Sequence, residues 1–230
     1  MGNNRDKGFT RLGEDHPLVD RLLTEAWWHE IVKLSHSDPD INIQLRSHYI
    51  NVYLKMGNIL KISLAGTRLC CEIHYKYLVD NVRPAYVKIF PDGDCLKIND
   101  HVCPNVHDIL DPQNLQAIKQ NIAKYAGEEK TIQSRLVEKN KETVVDVEVA
   151  FSGEKESDDN GAENTRIDIV NFDKIRKRLV FVELKQIFDS RLYNGEINEQ
   201  IGKYYIFALR NESQIINAYQ NAINTKKKLG

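Results

Sequence analysis

The spacing of apolar residues changes period several times along this chain. Between residues 17 and 34, Leu18, Leu22, Trp27 and Ile31 recur at helical intervals and predict one amphipathic helix. Pro17 suits its first turn, with Asp15 or His16 just before it. From residue 41 the period drops to two. Residues 41–45, 49–55 and 59–64 read as strands. In the second, Ile50, Val52 and Leu54 alternate with Asn51, Tyr53 and Lys55. Gly57-Asn58 is the predicted hairpin turn, and Leu60, Ile62 and Leu64 continue the pattern. Gly66-Thr67 marks another turn before strands at 69–77 and 85–90. One helix against an antiparallel meander is an α+β unit, assigned to residues 1–108. Residues up to Gly13 are polar and glycine-containing, and predict a frayed end.

Helical spacing returns over residues 112–140, with a break expected near Gly127, because a glycine inside a helix costs about 1 kcal/mol. A strand follows at 144–151, and a Gly-, Ser- and acid-rich loop at 152–164. Two apolar runs, 167–172 and 179–184, flank the basic turn Lys174, Arg176, Lys177, Arg178 and predict a β-hairpin. A helix opening near Gly195 or Glu196 carries the stripe Ile197, Ile201, Tyr204, Tyr205, Ala208, Leu209, and a last amphipathic helix covers 212–227.

The hairpin carries charge where strands this apolar are normally buried. Asp168 interrupts the first run and Glu183 the second, and Lys185 shares a strand face with Glu183. Buried charges are costly unless paired or bound to a metal. A site where Asp168, Glu183 and Lys185 converge, with a divalent cation between the acids, removes that cost. Glu148 is a weaker candidate, since alternation puts it with Asp146 and Ala150.

This set resembles the PD-(D/E)xK nuclease superfamily over the C-terminal half of the chain, 109–230. There an Asp on one strand and a Glu-x-Lys on the next bind Mg²⁺ and cut phosphodiesters. Gln200 and Tyr204 have the Gln-x-x-x-Tyr spacing of its RecB-like branch. The resemblance implies an α/β restriction-endonuclease-like core, a mixed sheet flanked by helices. It implies Mg²⁺, with Mn²⁺ as a substitute, held by Asp168, Glu183 and the backbone carbonyl of Leu184. It makes Lys185 the residue that orients water or stabilises the transition state, and it implies a further acid on the helix before the first strand, for which Glu129, on the face of Ile132 and Leu136, is the candidate, with Glu128 and Glu138 as rivals. Gln200 and Tyr204 would contact the substrate or support the site, and the basic turn would hold DNA phosphates. DNA is then the expected partner, with a homodimer open. A further strand usually follows the Gln-x-x-x-Tyr helix in that superfamily, and no segment here reads as one. The alternative is a catalytically inactive nuclease-fold module that binds DNA or protein. Residues 1–108 are expected to recognise a substrate or partner.

Composition narrows this little. The net charge of −1 means that nucleic-acid contact must come from local basic patches. No apolar stretch approaches a membrane span and the first residues lack a secretory core, so a cytoplasmic chain with reduced thiols is expected. Cys95, His101, Cys103 and His107 raise a zinc site, but their spacing fits none of the common finger patterns. Two small buried thiols and two surface histidines is the preferred reading.

Overall fold

The computed structural model describes residues 9–78, 86–89, 97–98, 101–102, 106–150 and 166–230. The fold is mixed α/β with antiparallel sheets. Helices α1 (Pro17–Leu23) and α2 (Ala26–Ser37) precede a five-stranded sheet in the order β1 (Ile41–Leu45), β2 (Tyr49–Leu54), β3 (Gly57–Ala65), β4 (Arg68–His74), β5 (Tyr86–Ile89). A short ladder of β6 (Lys97–Ile98) and β7 (His101–Val102) leads to α3 (Val106–Leu110), α4 (Pro112–Tyr125) and α5 (Glu128–Lys139). A three-stranded sheet follows, order β10-β9-β8, from β8 (Val144–Ala150), β9 (Arg166–Asp173) and β10 (Arg178–Val182). Helices α6 (Glu196–Arg210) and α7 (Glu212–Leu229) close the fold.

The single helix predicted at 17–34 is two, broken at Thr24 and Glu25. The Thr24 hydroxyl donates to the Arg21 carbonyl, and the Glu25 carboxylate accepts from the Trp27 indole at 2.9 Å. The break lets Leu18 and Leu22 of α1 and Trp27, Trp28 and Ile31 of α2 all reach one core. The break predicted near Gly127 is present between α4 and α5.

The meander has the predicted order, but its first tight turn lies two residues earlier. Lys55 and Met56 occupy the left-handed region, φ 47° and 63°, and Gly57 already belongs to β3. Two consecutive left-handed residues match the twist of a two-residue hairpin loop. Burial compensates for the strain of the non-glycine backbone there: Met56 is 1% exposed, packed with Tyr53, Val137, Val147 and Ile169. Gly57 is small for a different reason. A Cβ there would meet the Ile122 side chain of α4 at 2.7 Å, so an alanine costs about 1–3 kcal/mol by overpacking.

β2 is buried on both faces, which joins the two halves. Ile50, Val52 and Leu54 pack with α1, α2 and Ile118 and Ile122 of α4, while Tyr53 packs with β8 and β9. α4, past residue 108, therefore belongs to the first core, as do Ala222 and Leu229 of α7. Residues 9–12, predicted to fray, are built in. Phe9 packs on Tyr219, Leu12 is fully buried, and the Leu12 N–H donates to the Arg46 carbonyl at 2.8 Å.

Between the halves lies a buried ion cluster. Asp146 of β8 accepts from Arg11 at 2.7 Å and from Arg46 at 2.7 Å, with its side chain 2% exposed. Burial alone would raise its carboxyl, but the two guanidiniums hold it below the usual carboxylate range.

The mixed sheet expected for the second half is antiparallel throughout its described strands. β9 pairs with both its neighbours, and after α6 the chain enters α7 rather than returning as a parallel strand. The predicted stripe of α6 is also only partly buried. Tyr204 is 7% exposed, whereas Ile201, Tyr205 and Leu209 face outward, because the small sheet covers one side of the helix. Among the described residues, no helix is long and apolar enough to cross a membrane. Cys70 and Cys71 are free thiols. Cys95, Cys103 and the predicted loop 152–164 lie outside the described residues, as do the side chains of His101 and His107.

Candidate active site

The register of the small sheet assembles a row of acids. Val147 pairs with Ile169 and Val149 with Ile167, so Glu148 of β8 lies across from Asp168 of β9. On the other side Val182 pairs with Ile169, so Glu183, just past β10, comes alongside Asp168. The ladder ends there because a side chain takes over from the backbone: the Leu184 N–H donates to Asp168 Oδ2 at 2.7 Å.

Lys185 folds back over this end. Its Nζ donates to Glu183 Oε1 and to the Leu184 carbonyl at 3.0 Å, and lies 3.8 Å from Glu129 Oε1. The Lys185 side chain is 7% exposed and that of Glu183 9%. Glu129 reaches the site along the stripe of Gln133 and Val137, which are buried, and not with Ile132, which faces solvent. Its rivals Glu128 and Glu138 are exposed. Gln133, which the sequence reading passed over, holds β9 in place by donating to the Asp168 carbonyl at 2.9 Å.

Gln200 and Tyr204, one turn apart on α6, both point at Glu183. Gln200 Nε2 donates to Glu183 Oε1 at 2.9 Å and to the Tyr204 hydroxyl at 2.6 Å. The Tyr204 hydroxyl donates to the Arg166 carbonyl and lies 3.4 Å from Glu183 Oε2. Burial, with Glu183 and Asp168 nearby, pushes the phenol up, so it stays a donor. Of the two roles the resemblance implies for this pair, these contacts are those of support.

Asp168 differs from its neighbours in that no side-chain cation among the described residues is bonded to it. Burial, and then the Glu183 and Glu148 carboxylates, push its carboxyl up to about 6, against the pull of the Leu184 N–H and the Lys185 ammonium. Glu148 itself lies within 4.0 Å of Lys130 and 3.8 Å of Arg166, on a backbone with φ 51°.

A cleft of about 820 Å³ opens over these groups. Besides the acids it is lined by Lys130, Arg166, Arg191 and Lys203, cations the sequence reading did not single out. The basic hairpin turn is elsewhere. Five residues of strand separate Asp168 from Asp173, roughly 17 Å at about 3.4 Å per residue. At that far end Arg176 and Arg178 face Asp173, Lys174 faces Glu142, and Lys177 sits at φ 51°.

Among the described residues, no group of three or more His, Cys, Asp or Glu side chains is arranged to hold a metal ion. The donors present are two carboxylates, Asp168 and Glu183, and the Leu184 carbonyl. They are hard oxygens and suit Mg²⁺, which typically takes one or two carboxylates and leaves its other positions to water and phosphate. Burial first, and then the Glu183 and Glu148 carboxylates, disfavour the charged form of Asp168. Compared with family models, curated proteins and solved structures, the chain matches none.

Proposed function

We propose that this chain is a Mg²⁺-dependent nuclease that hydrolyses phosphodiester bonds in nucleic acid, with DNA the expected substrate. On this reading the α5–β8–β9–β10–α6 unit is a restriction-endonuclease-like core lacking the usual strand after α6. The observation that carries the reading is Asp168, flanked by Glu148 and Glu183 and bonded by the Leu184 N–H, with no side-chain cation on it among the described residues and Lys185 two residues beyond Glu183.

Asp168, Glu183 and the Leu184 carbonyl would hold the metal, and Mn²⁺ would substitute. Such an ion lowers the pKa of bound water and neutralises charge on the transferring phosphoryl group. The chain's own part is positioning. Gln200 and Tyr204 clamp the Glu183 carboxylate, and Gln133 fixes the backbone of Asp168. Lys185, bonded to Glu183 and to the Leu184 carbonyl, is the cation beside these donors that would orient the attacking water or stabilise the transition state. Glu129 lies 3.8 Å from that ammonium and holds it near the site.

A second reading has an observation in its favour. Lys185 already satisfies Glu183 Oε1 and the Leu184 carbonyl, two of the three donors. On that reading the ion pair is structural, and the chain is a catalytically silent nuclease-fold module that binds DNA or protein.

Incubation with plasmid, linear and single-stranded DNA, with Mg²⁺, Mn²⁺ or EDTA, separates the two. The expected result is metal-dependent cutting by the wild type and none by Asp168→Ala, with both melting cooperatively. No metal-dependent cutting under any of these conditions selects the silent module.

A further inference from the structure

A second cleft of about 660 Å³ runs along the first sheet and shares Lys130, Glu148 and Arg166 with the cleft over Asp168. The two are therefore neighbours, but their balance of charge differs. The first gathers the acids Glu129, Glu148, Asp168 and Glu183. The second is lined by Arg11, Arg46, Lys61, Lys130 and Arg166, against Glu72 and Glu148.

Its floor holds positive charge that pairing does not cancel. Arg11 and Arg46 share one carboxylate, Asp146, so the buried cluster carries one cation in excess. Its wall mixes cations with aromatic rings. Lys61 Nζ lies 5.1 Å from the Tyr49 ring centre, and the His48 ring stands edge-on to Tyr49 at 5.2 Å. Lys61 is held by Glu72 at 3.4 Å, with the lysine side chain 40% exposed, a weak and water-screened pair. A basic groove interleaved with aromatic faces is the usual build of a single-strand nucleic-acid channel: cations follow the phosphates and rings stack on bases.

We infer that the second cleft is the binding channel for a single strand of nucleic acid, delivering it past Lys130 and Arg166 to the carboxylates of the first. This rests on the nuclease reading for its destination, though not for its chemistry. It gives the first sheet a definite task, substrate recognition by Lys61, Tyr49 and His48. Neighbouring nucleotides lie in the basic cleft while one phosphodiester sits over Asp168.

The test is fluorescence anisotropy of a labelled oligothymidylate with the full chain in EDTA, where no metal-dependent cutting intrudes. Lys61→Glu is expected to weaken binding roughly tenfold and to lower the slope of log affinity against log salt by about 1. Tyr49→Ala is expected to weaken it by roughly tenfold through lost stacking. Lys61→Gln, which avoids charge reversal beside Glu72, falls between wild type and Lys61→Glu. Wild-type affinity and salt slope in both Lys61 variants overturns the channel, whether or not the protein cuts. So does preference for duplex, or competition by free mononucleotide as strong as by the oligomer. Binding that depends on Lys61 and Tyr49 in a protein that never cuts supports the channel and sinks only the nuclease reading.

Discussion

Asp146 and Asp168 lie on neighbouring strands of one small sheet and meet opposite surroundings. Asp146 is sealed between two guanidiniums that neutralise it and hold its carboxyl low. Asp168 is left among carboxylates, bonded by one backbone N–H, and its carboxyl rises to about 6. The first joins two halves of a molecule; the second keeps an electrostatic demand that folding leaves unmet. Strand context is common to both, so partner geometry alone separates the compensated aspartate from the uncompensated one.

The largest effect that tests this contrast is on stability. Asp146→Ala strands two buried arginines and is expected to cost about 3–5 kcal/mol, read from urea melts. A loss below about 1 kcal/mol would break the comparison at its structural end. Asp168→Asn is expected to melt like the wild type yet cut roughly 10³-fold more slowly, about 4 kcal/mol of barrier, in a single-turnover assay. Equal cutting would break the comparison at its reactive end. Gln200→Ala loosens Glu183 without removing a donor and should cost roughly tenfold in rate, about 1.4 kcal/mol, with the metal requirement shifted to higher concentration.

The smallest effect is on the pH dependence of stability, and the two residues have opposite signs. The folded value for Asp168, about 6, lies above its ordinary 3.8, so the folded form binds the proton more tightly. The wild type should therefore gain about 1 kcal/mol, after solvent screening, as pH falls from about 6 toward about 4, and Asp168→Asn should lack that gain. Asp146 is lowered from 3.8, so its contribution is full above that value and is lost as pH falls below it through the lower folded value. Melts from above about pH 6 to well below 3.8, wild type beside Asp168→Asn, show the Asp168 gain first and the Asp146 loss at lower pH.

Much of this was legible in the amino-acid order, for identifiable reasons. Period-two spacing and the turn residues defined the meander, and a four-residue helical step put Gln200 and Tyr204 on one face. What escaped depends on contacts distant in sequence. Glu148 reads as a neighbour of Asp146, and only cross-strand register brings it opposite Asp168. Gly57 looked like a turn residue, yet it is small to admit Ile122, and the left-handed turn falls on Lys55 and Met56. Ile201, Tyr205 and Leu209 have a buried helix's spacing, but the sheet below is too narrow to cover them. The polar start of the chain concealed Arg11, whose partner is 135 residues away. The Lys/Arg-rich turn drew attention by composition, while the cleft's own cations are scattered singly over four elements and loops.

The seam between residues 9–12, α2 and α7 has a consequence for how the chain is made. The Trp28 indole donates to the Leu229 carbonyl at 3.3 Å, 201 residues away, and the Thr225 hydroxyl donates to the Leu12 carbonyl at 2.9 Å across 213 residues. Translation at about 5–20 residues per second puts roughly 10–40 s between synthesis of the two sides of that seam. Throughout that interval the first core lacks Ala222 and Leu229, and the apolar wall around Trp28 stands open to the ribosome's surroundings. The earliest-made sheet is thus among the last regions to be sealed. A ribosome stalled before α7 would hold a nascent chain suited to chaperone capture.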